Sequence, residues 1–232
     1  MKRLIIISLL LVFTAASSMA QRRNHGQVQI VKSVSVSFGG GASLFLGNNS
    51  DVLGMTDKLT PTFHLGVGAW FTDYVGVQTS VSGFKLHSSS KGEYKYSLES
   101  EIWQHSKLNP DGSFRYSINY INPSLQVCTS VAGILGFYKQ CVADLVPSVG
   151  VGLFHVFEND GVPSNNALSI NAGLTGMYKL LPNFWAQLKA TYTLLPDDFD
   201  GLKSDGAIES LIGIQAGFVG KIKVSNGHNR RF

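Results

Sequence analysis

Between Ser33 and Val224 the chain alternates apolar with small or polar residues in eight successive segments, joined by short and long connections in turn. The first segment sets the pattern. Val34, Val36, Phe38, Ala42, Leu44 and Leu46 share one face, and Ser33, Ser35, Ser37, Gly39, Gly41 and Ser43 share the other. Successive Cβ atoms of a strand point to opposite surfaces, so a period of two specifies a strand rather than a helix. A strand with one apolar face and one polar or glycine face suits a wall between lipid and a polar lumen.

The later segments repeat the rule. Thr60–Phe71 sends Phe63, Leu65, Val67 and Ala69 outward and Thr62, His64, Gly66, Gly68 and Trp70 inward. The third segment starts at Tyr74. The fourth starts at Phe114, with Phe114, Tyr116, Ile118 and Tyr120 outward, and then shifts phase to Pro123, Leu125 and Val127. That shift predicts a β-bulge near Ile121–Asn122, which also relieves Pro123 of a ladder bond that it cannot donate. The last four segments are Val142–Phe157, Ala167–Lys179, Phe184–Leu195 and Ala207–Val224.

Tight turns at Asp73 and Leu181–Pro182–Asn183 alternate with longer loops at Gly47–Leu59, Ser88–Ser113, Glu158–Asn165 and Pro196–Gly206. The connection Val131–Gln140 is the exception among the short turns. An open sheet with this much apolar face would associate through its edges, and in lipid its unpaired edge groups would be intolerable. The prediction is an eight-stranded, antiparallel, up-and-down transmembrane β-barrel. Aromatic residues near the strand ends predict two belts at headgroup depth, Trp70, Tyr74, Tyr178 and Phe184 at the turn side and Phe45, Phe63, Phe84 and Phe157 at the loop side.

The N-terminus explains how such a chain reaches a membrane. Lys2 and Arg3, the apolar run Leu4–Ala16 and the small residues Ser17–Ala20 read as a secretory signal peptide, cut after Ala20. The run falls short of the roughly 20 apolar residues a spanning helix needs. The organisation is then 1–20 signal peptide, 21–32 periplasmic leader, 33–224 barrel and 225–232 tail. Losing Lys2 and Arg3 lowers the formal net charge from +4 to 4 − 2 = +2, which is no argument for nucleic acid. Charged residues make up 15% of the chain, below the ~25% of soluble domains, and glycine is abundant at 25 residues. Both fit a membrane barrel.

Cys128 and Cys141 flank one connection in an oxidising compartment and are predicted to form a disulfide near the periplasmic rim; two unpaired wall residues is the alternative. Arg115, Asp144, Lys189, Glu209 and Lys221 fall on the inward face and form a predicted lumen charge network. Eight strands enclose an interior just wide enough for side chains to fill, so buried charges must pair. Lys189 and Glu209 are predicted to meet across the last two strands.

No constellation for catalysis, cofactor or metal emerges. The six histidines lack metal-ligand spacing. Ser148 and His155 share a strand but fall on opposite faces. Gly39–Gly40–Gly41 precedes no helix and no Lys–Ser/Thr pair, so it is not a phosphate loop. Asp197, Asp198, Asp200 and Asp205 lack the ordered alternation of a calcium loop.

The runs Phe38-Gly-Gly-Gly-Ala-Ser-Leu-Phe-Leu-Gly47, Gly66-Val-Gly-Ala-Trp-Phe-Thr72 and Val146-Pro-Ser-Val-Gly-Val-Gly152, with Asn171-Ala-Gly173 and the closing Ile214–Gly220 strand, resemble OmpA-type (porin-like) barrels of Bacteroidetes. The motifs are individually weak, but their order covers nearly the whole mature chain. The resemblance implies an outer-membrane barrel. Full OmpA proteins add a C-terminal peptidoglycan-binding domain; this chain stops at Phe232, so cell-wall tethering does not carry over. Phe232 is either part of the signal read by the barrel-insertion machinery or the end of a disordered tail. The expected partners are outer-membrane lipid, that machinery, and surface ligands or host contacts through the outer loops. The leading function is structural or surface-interacting and non-enzymatic. A small low-conductance pore is the first alternative, and a lipid-modifying enzyme the second.

Overall fold

A computed structural model describes residues 31–46, 58–91, 107–108, 113–137, 141–159, 162–196, 199 and 208–224. Eight long strands carry the fold: β1 (Ser33–Leu46), β2 (Leu59–Trp70), β3 (Val75–Lys91), β4 (Ser113–Thr129), β5 (Ala143–Phe157), β6 (Asn165–Leu181), β7 (Phe184–Leu195) and β8 (Glu209–Lys223). Each pairs antiparallel with its chain neighbours. β1 also pairs with β8, from Ser33 opposite Lys223 to Leu46 opposite Ser210, so the sheet has no free end. The fold is a closed eight-stranded antiparallel β-barrel. The predicted signal peptide, the tail 225–232 and the leader up to residue 30 lie outside the described residues.

The inside and outside sets follow the two-residue period almost without break. On β2, Thr60, Thr62, His64 and Trp70 are buried while Leu59, Phe63 and Leu65 are exposed. On β5, Val149, Val151 and Leu153 are exposed, and on β8 Ile212, Ile214 and Ile222 are. These side chains join into one apolar band around the barrel. A band this continuous far exceeds what a water-soluble surface leaves uncovered, and acyl chains are its natural solvent.

The turns at one end are short and locally built. Between β2 and β3 the Thr72 hydroxyl accepts from the backbone N–H groups of Tyr74 (3.2 Å) and Val75 (2.8 Å), a side chain standing in for a turn carbonyl. Lys32 and Asp73 form an exposed ion pair at 3.1 Å beside it. Between β4 and β5 lies a single helical turn, α1 (Val131–Ile134). Ser130 caps it by accepting from Gly133 N–H at 3.0 Å. The buried Asp144 carboxylate accepts from Ser130 Oγ (2.7 Å) and Ala132 N–H (3.0 Å). Gly133 is required here, because a Cβ would run into the Asp73 carbonyl.

One expectation fails on β4. The predicted bulge at Ile121–Asn122 is absent: Tyr120, Ile121, Asn122 and Pro123 face Phe84, Gly83, Ser82 and Val81 in one unbroken register. Ile118 and Tyr120 point inward with Asn122, Ser124 and Gln126. They are apolar because the lumen itself is apolar at that level. Pro123 is accommodated by a gap in the β4–β5 ladder, which pairs Ile121 with His155 and resumes at Ser124 opposite Gly152.

Two outcomes are expected of this architecture. The unboiled protein runs faster than the boiled protein in gel electrophoresis, and its circular dichroism in detergent is dominated by strand; equal mobility with dominant helix would overturn the barrel. Val149→Arg places a charge in the middle of the apolar band and costs about 2–4 kcal/mol in refolding titrations into lipid vesicles.

Candidate functional site: a layered lumen

The inward side chains sort into three layers. At the turn end, Trp70, Val146, Met177, Trp185 and Val219 pack together with Cys128. Lys221 spans this layer, its Nζ lying 4.9 Å from the Trp70 ring centroid and 5.2 Å from that of Trp185. Two indole faces offer a desolvated cation a substitute for water. Trp70 Nε1 donates to Ser35 Oγ at 3.2 Å, which fixes the ring.

The middle layer is polar and knitted from strand to strand. Asn122 Nδ2 donates to Asn171 Oδ1 (3.0 Å), Asn171 Nδ2 to Ser169 Oγ (3.0 Å) and Ser169 Oγ to Asn122 Oδ1 (3.0 Å), closing a ring across β4 and β6. Thr193 Oγ1 joins it at 2.9 Å. Ser80 and Ser124 meet at 2.9 Å between β3 and β4. Lys189 sits in this layer, 3% exposed.

The outer layer is apolar. Phe45, Ile118, Tyr120, Phe154, Leu195 and Leu211 turn inward from their strands. Phe199, on the connection between β7 and β8, drops into their midst and is fully buried. Its ring lies 5.6 Å from Phe45 and 5.4 Å from Phe154, both edge-on, and Tyr120 stacks on Phe154 at 4.5 Å. Edge-to-face and offset contacts of this kind add to the area term. The lumen is therefore closed by side chains near its outer end. Phe45, expected in the lipid-side belt, belongs to this plug instead.

The expected site residues are distributed as follows. Asp144, Lys189, Glu209 and Lys221 all point inward. Arg115 stands on β4 opposite Ser89, and its side chain lies outside the described residues. Among the described residues, Lys189 and Glu209 are not brought together. Lys189 faces Gln215, whereas Glu209 faces Leu195 six residues further along β7, about 20 Å away at strand rise. The expected Lys189–Glu209 pair is thus corrected. β8 begins at Glu209, at the outer rim, while Lys189 lies in mid-strand. Asp144 serves the α1 turn and acts electrostatically on Lys221.

The expected disulfide is also absent: Cys128 and Cys141 are both free. Cys128 is an inward residue of β4, with its thiol 3.7 Å from Gln78 Oε1, whereas Cys141 lies in the connection just before β5. The α1 turn, pinned by Asp144, separates them.

A Ser–His contact that the sequence does not flag lies in the middle layer. Ser37 Oγ and His64 Nε2 are 3.1 Å apart, and Gln78 Nε2 donates to the same hydroxyl at 3.1 Å. Both residues are almost wholly buried, and the described contacts of His64 include no carboxylate to orient it. It is one rung of the polar lattice. Ser148 and His155 face opposite sides, as expected, with His155 bonded to Asn166 at 2.8 Å.

No family model and no curated protein sequence matches the chain. Solved structures do match. OprG of Pseudomonas aeruginosa, an outer membrane protein, is 14% identical over 85% of this chain and 100% of its own, with a TM-score of 0.51. The N-terminal β-barrel domain of OprF from the same organism is 14% identical over 82% of this chain and 98% of its own, at 0.45. Ail, the attachment invasion locus protein of Yersinia pestis, is 15% identical over 83% and 99%, at 0.44. At these identities the likeness is one of fold, and OprG carries it: the chain has the outer-membrane type of β-barrel.

Two measurements check the lumen. Phe199→Ala removes the centre of the outer plug and destabilises the folded barrel by about 3–5 kcal/mol in urea titrations in detergent. Intact mass after alkylation of folded, oxidised protein shows one label, on Cys141, and a second on Cys128 only after unfolding; no label on either thiol would restore the disulfide.

Proposed function

We propose that the chain is a closed outer-membrane β-barrel with a structural and surface-interacting role, not a conduit. The observation that supports this best is the apolar plug around Phe199. Conduction needs a continuous polar path, and here the polar middle layer is capped by buried Phe45, Phe154, Phe199 and Leu195 at one end. Trp70, Trp185 and Lys221 fill the other. In this reading the short turns face the periplasm and the long connections face outward, as outer-membrane barrels arrange them. The β3–β4 hairpin fits that orientation. Its ladder runs on to Lys91 opposite Ser113, past the point where β2 stops pairing with β3 at Thr62 and Phe84, and lifts the strand ends clear of the barrel. Surface ligands or host molecules would meet this hairpin first. The order of glycine and aromatic motifs supports an OmpA-like assignment of the Bacteroidetes type.

The experiment is a planar bilayer measurement on refolded protein. Wild type is expected to show no sustained stepwise conductance. Steady openings from wild type would overturn the closed reading in favour of the small-pore alternative. Replacing residues 88–116 by a tight turn, which leaves the buried Leu86 and Ile118 in place, tests the surface half: the role stands if cells lose surface adhesion while keeping the folded barrel, and falls if adhesion is unchanged.

A further inference from the structure

We propose that the mid-lumen cavity around Lys189 is a binding site for one small monovalent anion of halide size, held inside the folded barrel. The cavity has a volume of about 20 Å³, and its lining includes Lys189, Thr62, Gln126, Thr191, Thr193 and Gln215. Roughly 10–15 Å³ accommodates one water molecule, so the space suits a single small species and excludes a sulfate or an organic anion.

The charge comes from Lys189. It is 3% exposed and stands in mid-strand on β7. No carboxylate lines the cavity, and among the described residues none lies within ion-pair distance of Lys189. Its titratable neighbours are an imidazole, His64, and a thiol, Cys128. Asp144, the carboxylate nearer the turn end, is committed to Ser130 and to the backbone of Ala132. A buried ammonium with no counter-charge is severely destabilising.

The walls supply further donors. Gln126 and Gln215 each bury an amide oxygen that has no hydrogen-bond partner, while their amide nitrogens spend one hydrogen on Ser124 Oγ (3.2 Å) and Thr62 Oγ1 (3.3 Å). Oxygen and nitrogen of a glutamine amide exchange places by a half-turn. After that turn Ser124 Oγ, which can accept from Ser80, donates to the Gln126 oxygen, Thr62 Oγ1 exchanges its long bond to the Gly83 carbonyl (3.4 Å) for one to the Gln215 oxygen, and both NH₂ groups are free to face an anion. One halide would then resolve the uncompensated charge and both orphaned amides together. A water molecule would serve the amide oxygens but leave the charge.

The test is refolding in detergent at constant ionic strength, with chloride, bromide or gluconate as the sodium salt, followed by urea titration. Well above the dissociation constant the apparent unfolding constant of wild type is expected to fall about tenfold for each tenfold rise in chloride or bromide, and not to respond to gluconate. Lys189→Met keeps an unbranched side chain one atom shorter, without the charge, and should abolish the halide response. A wild type equally stable in all three salts would overturn the site and leave a water there. An undiminished halide response in Lys189→Met would place the anion elsewhere. If Lys189→Met does not fold, wild-type crystals grown in bromide decide the matter through an anomalous peak in the cavity, and its absence rejects the proposal.

Discussion

The structure rests on the requirement that no backbone N–H or C=O faces hydrocarbon unpaired. A sheet meets that requirement only by closing, and here closure falls to β1 and β8. The seam is built for close approach. A Cβ at Gly41 would collide with the Ile214 carbonyl, and one at Gly217 with the Phe38 carbonyl. Glycine on both sides lets the first and last strands coil tightly against one another. Phe38, Phe218 and Phe184 then cover the seam from the lipid side, with Phe184 stacked on Phe218 at 5.2 Å and Phe38 tilted against it at 5.7 Å. The residues that allow closure and the residues that shield it alternate along the same strands, which is why a period of two can encode both.

Closure at eight strands has a second consequence. The interior is just wide enough for side chains to fill, so the inward residues must pack against one another across it. The chain fills it differently at each level. Serine, threonine and the carboxamides occupy the middle, where short side chains satisfy one another across strands. Indoles and Lys221 fill the turn end. Phenylalanine and branched aliphatics fill the outer end. Each layer has the chemistry of a small protein core, and the barrel is a core turned inside out only in its middle.

That layering explains what was legible from sequence and what was not. Strand existence, order, facing and turn positions follow from alternation, and they hold for His64, Trp70, Asp144, Lys189 and Lys221 alike. The rule assumes that apolar means outward, and it misreads residues wherever the lumen is apolar. Ile118 and Tyr120 were therefore expected to face lipid, and a bulge was needed to reconcile them with Leu125 and Val127. Phe199 carried no signal, since a lone aromatic in an acidic loop has no period. Register was the other gap. Lys189 and Glu209 both alternate correctly, yet nothing in either strand states where β8 starts relative to β7. Six residues of offset turn a proposed ion pair into two unrelated charges. Ser37 and His64 were hidden for the same reason, because their meeting depends on Ser37 lying opposite Gly66 in the β1–β2 ladder.

The two ends of the barrel also differ in how their connections are held, and that difference bears on function. At the turn end two of the three connections are tied by their own polar side chains: Thr72 for the first, and Asp144 with Ser130 for the α1 turn. Asp144 couples that turn to the lumen, because the carboxylate that caps α1 lies in the same interior as Lys221 between its two tryptophans. At the outer end the order is reversed, and a connection reaches into the lumen to stabilise it through Phe199. Asn165 Nδ2 donates to the Phe199 carbonyl at 3.2 Å, so β6 fixes the backbone while Phe45 and Phe154 hold the ring. An outer connection anchored at one buried residue can vary in sequence on either side of it without disturbing the barrel. Variation on either side of Phe199 is thereby compatible with the plug, a condition that the proposed surface role requires.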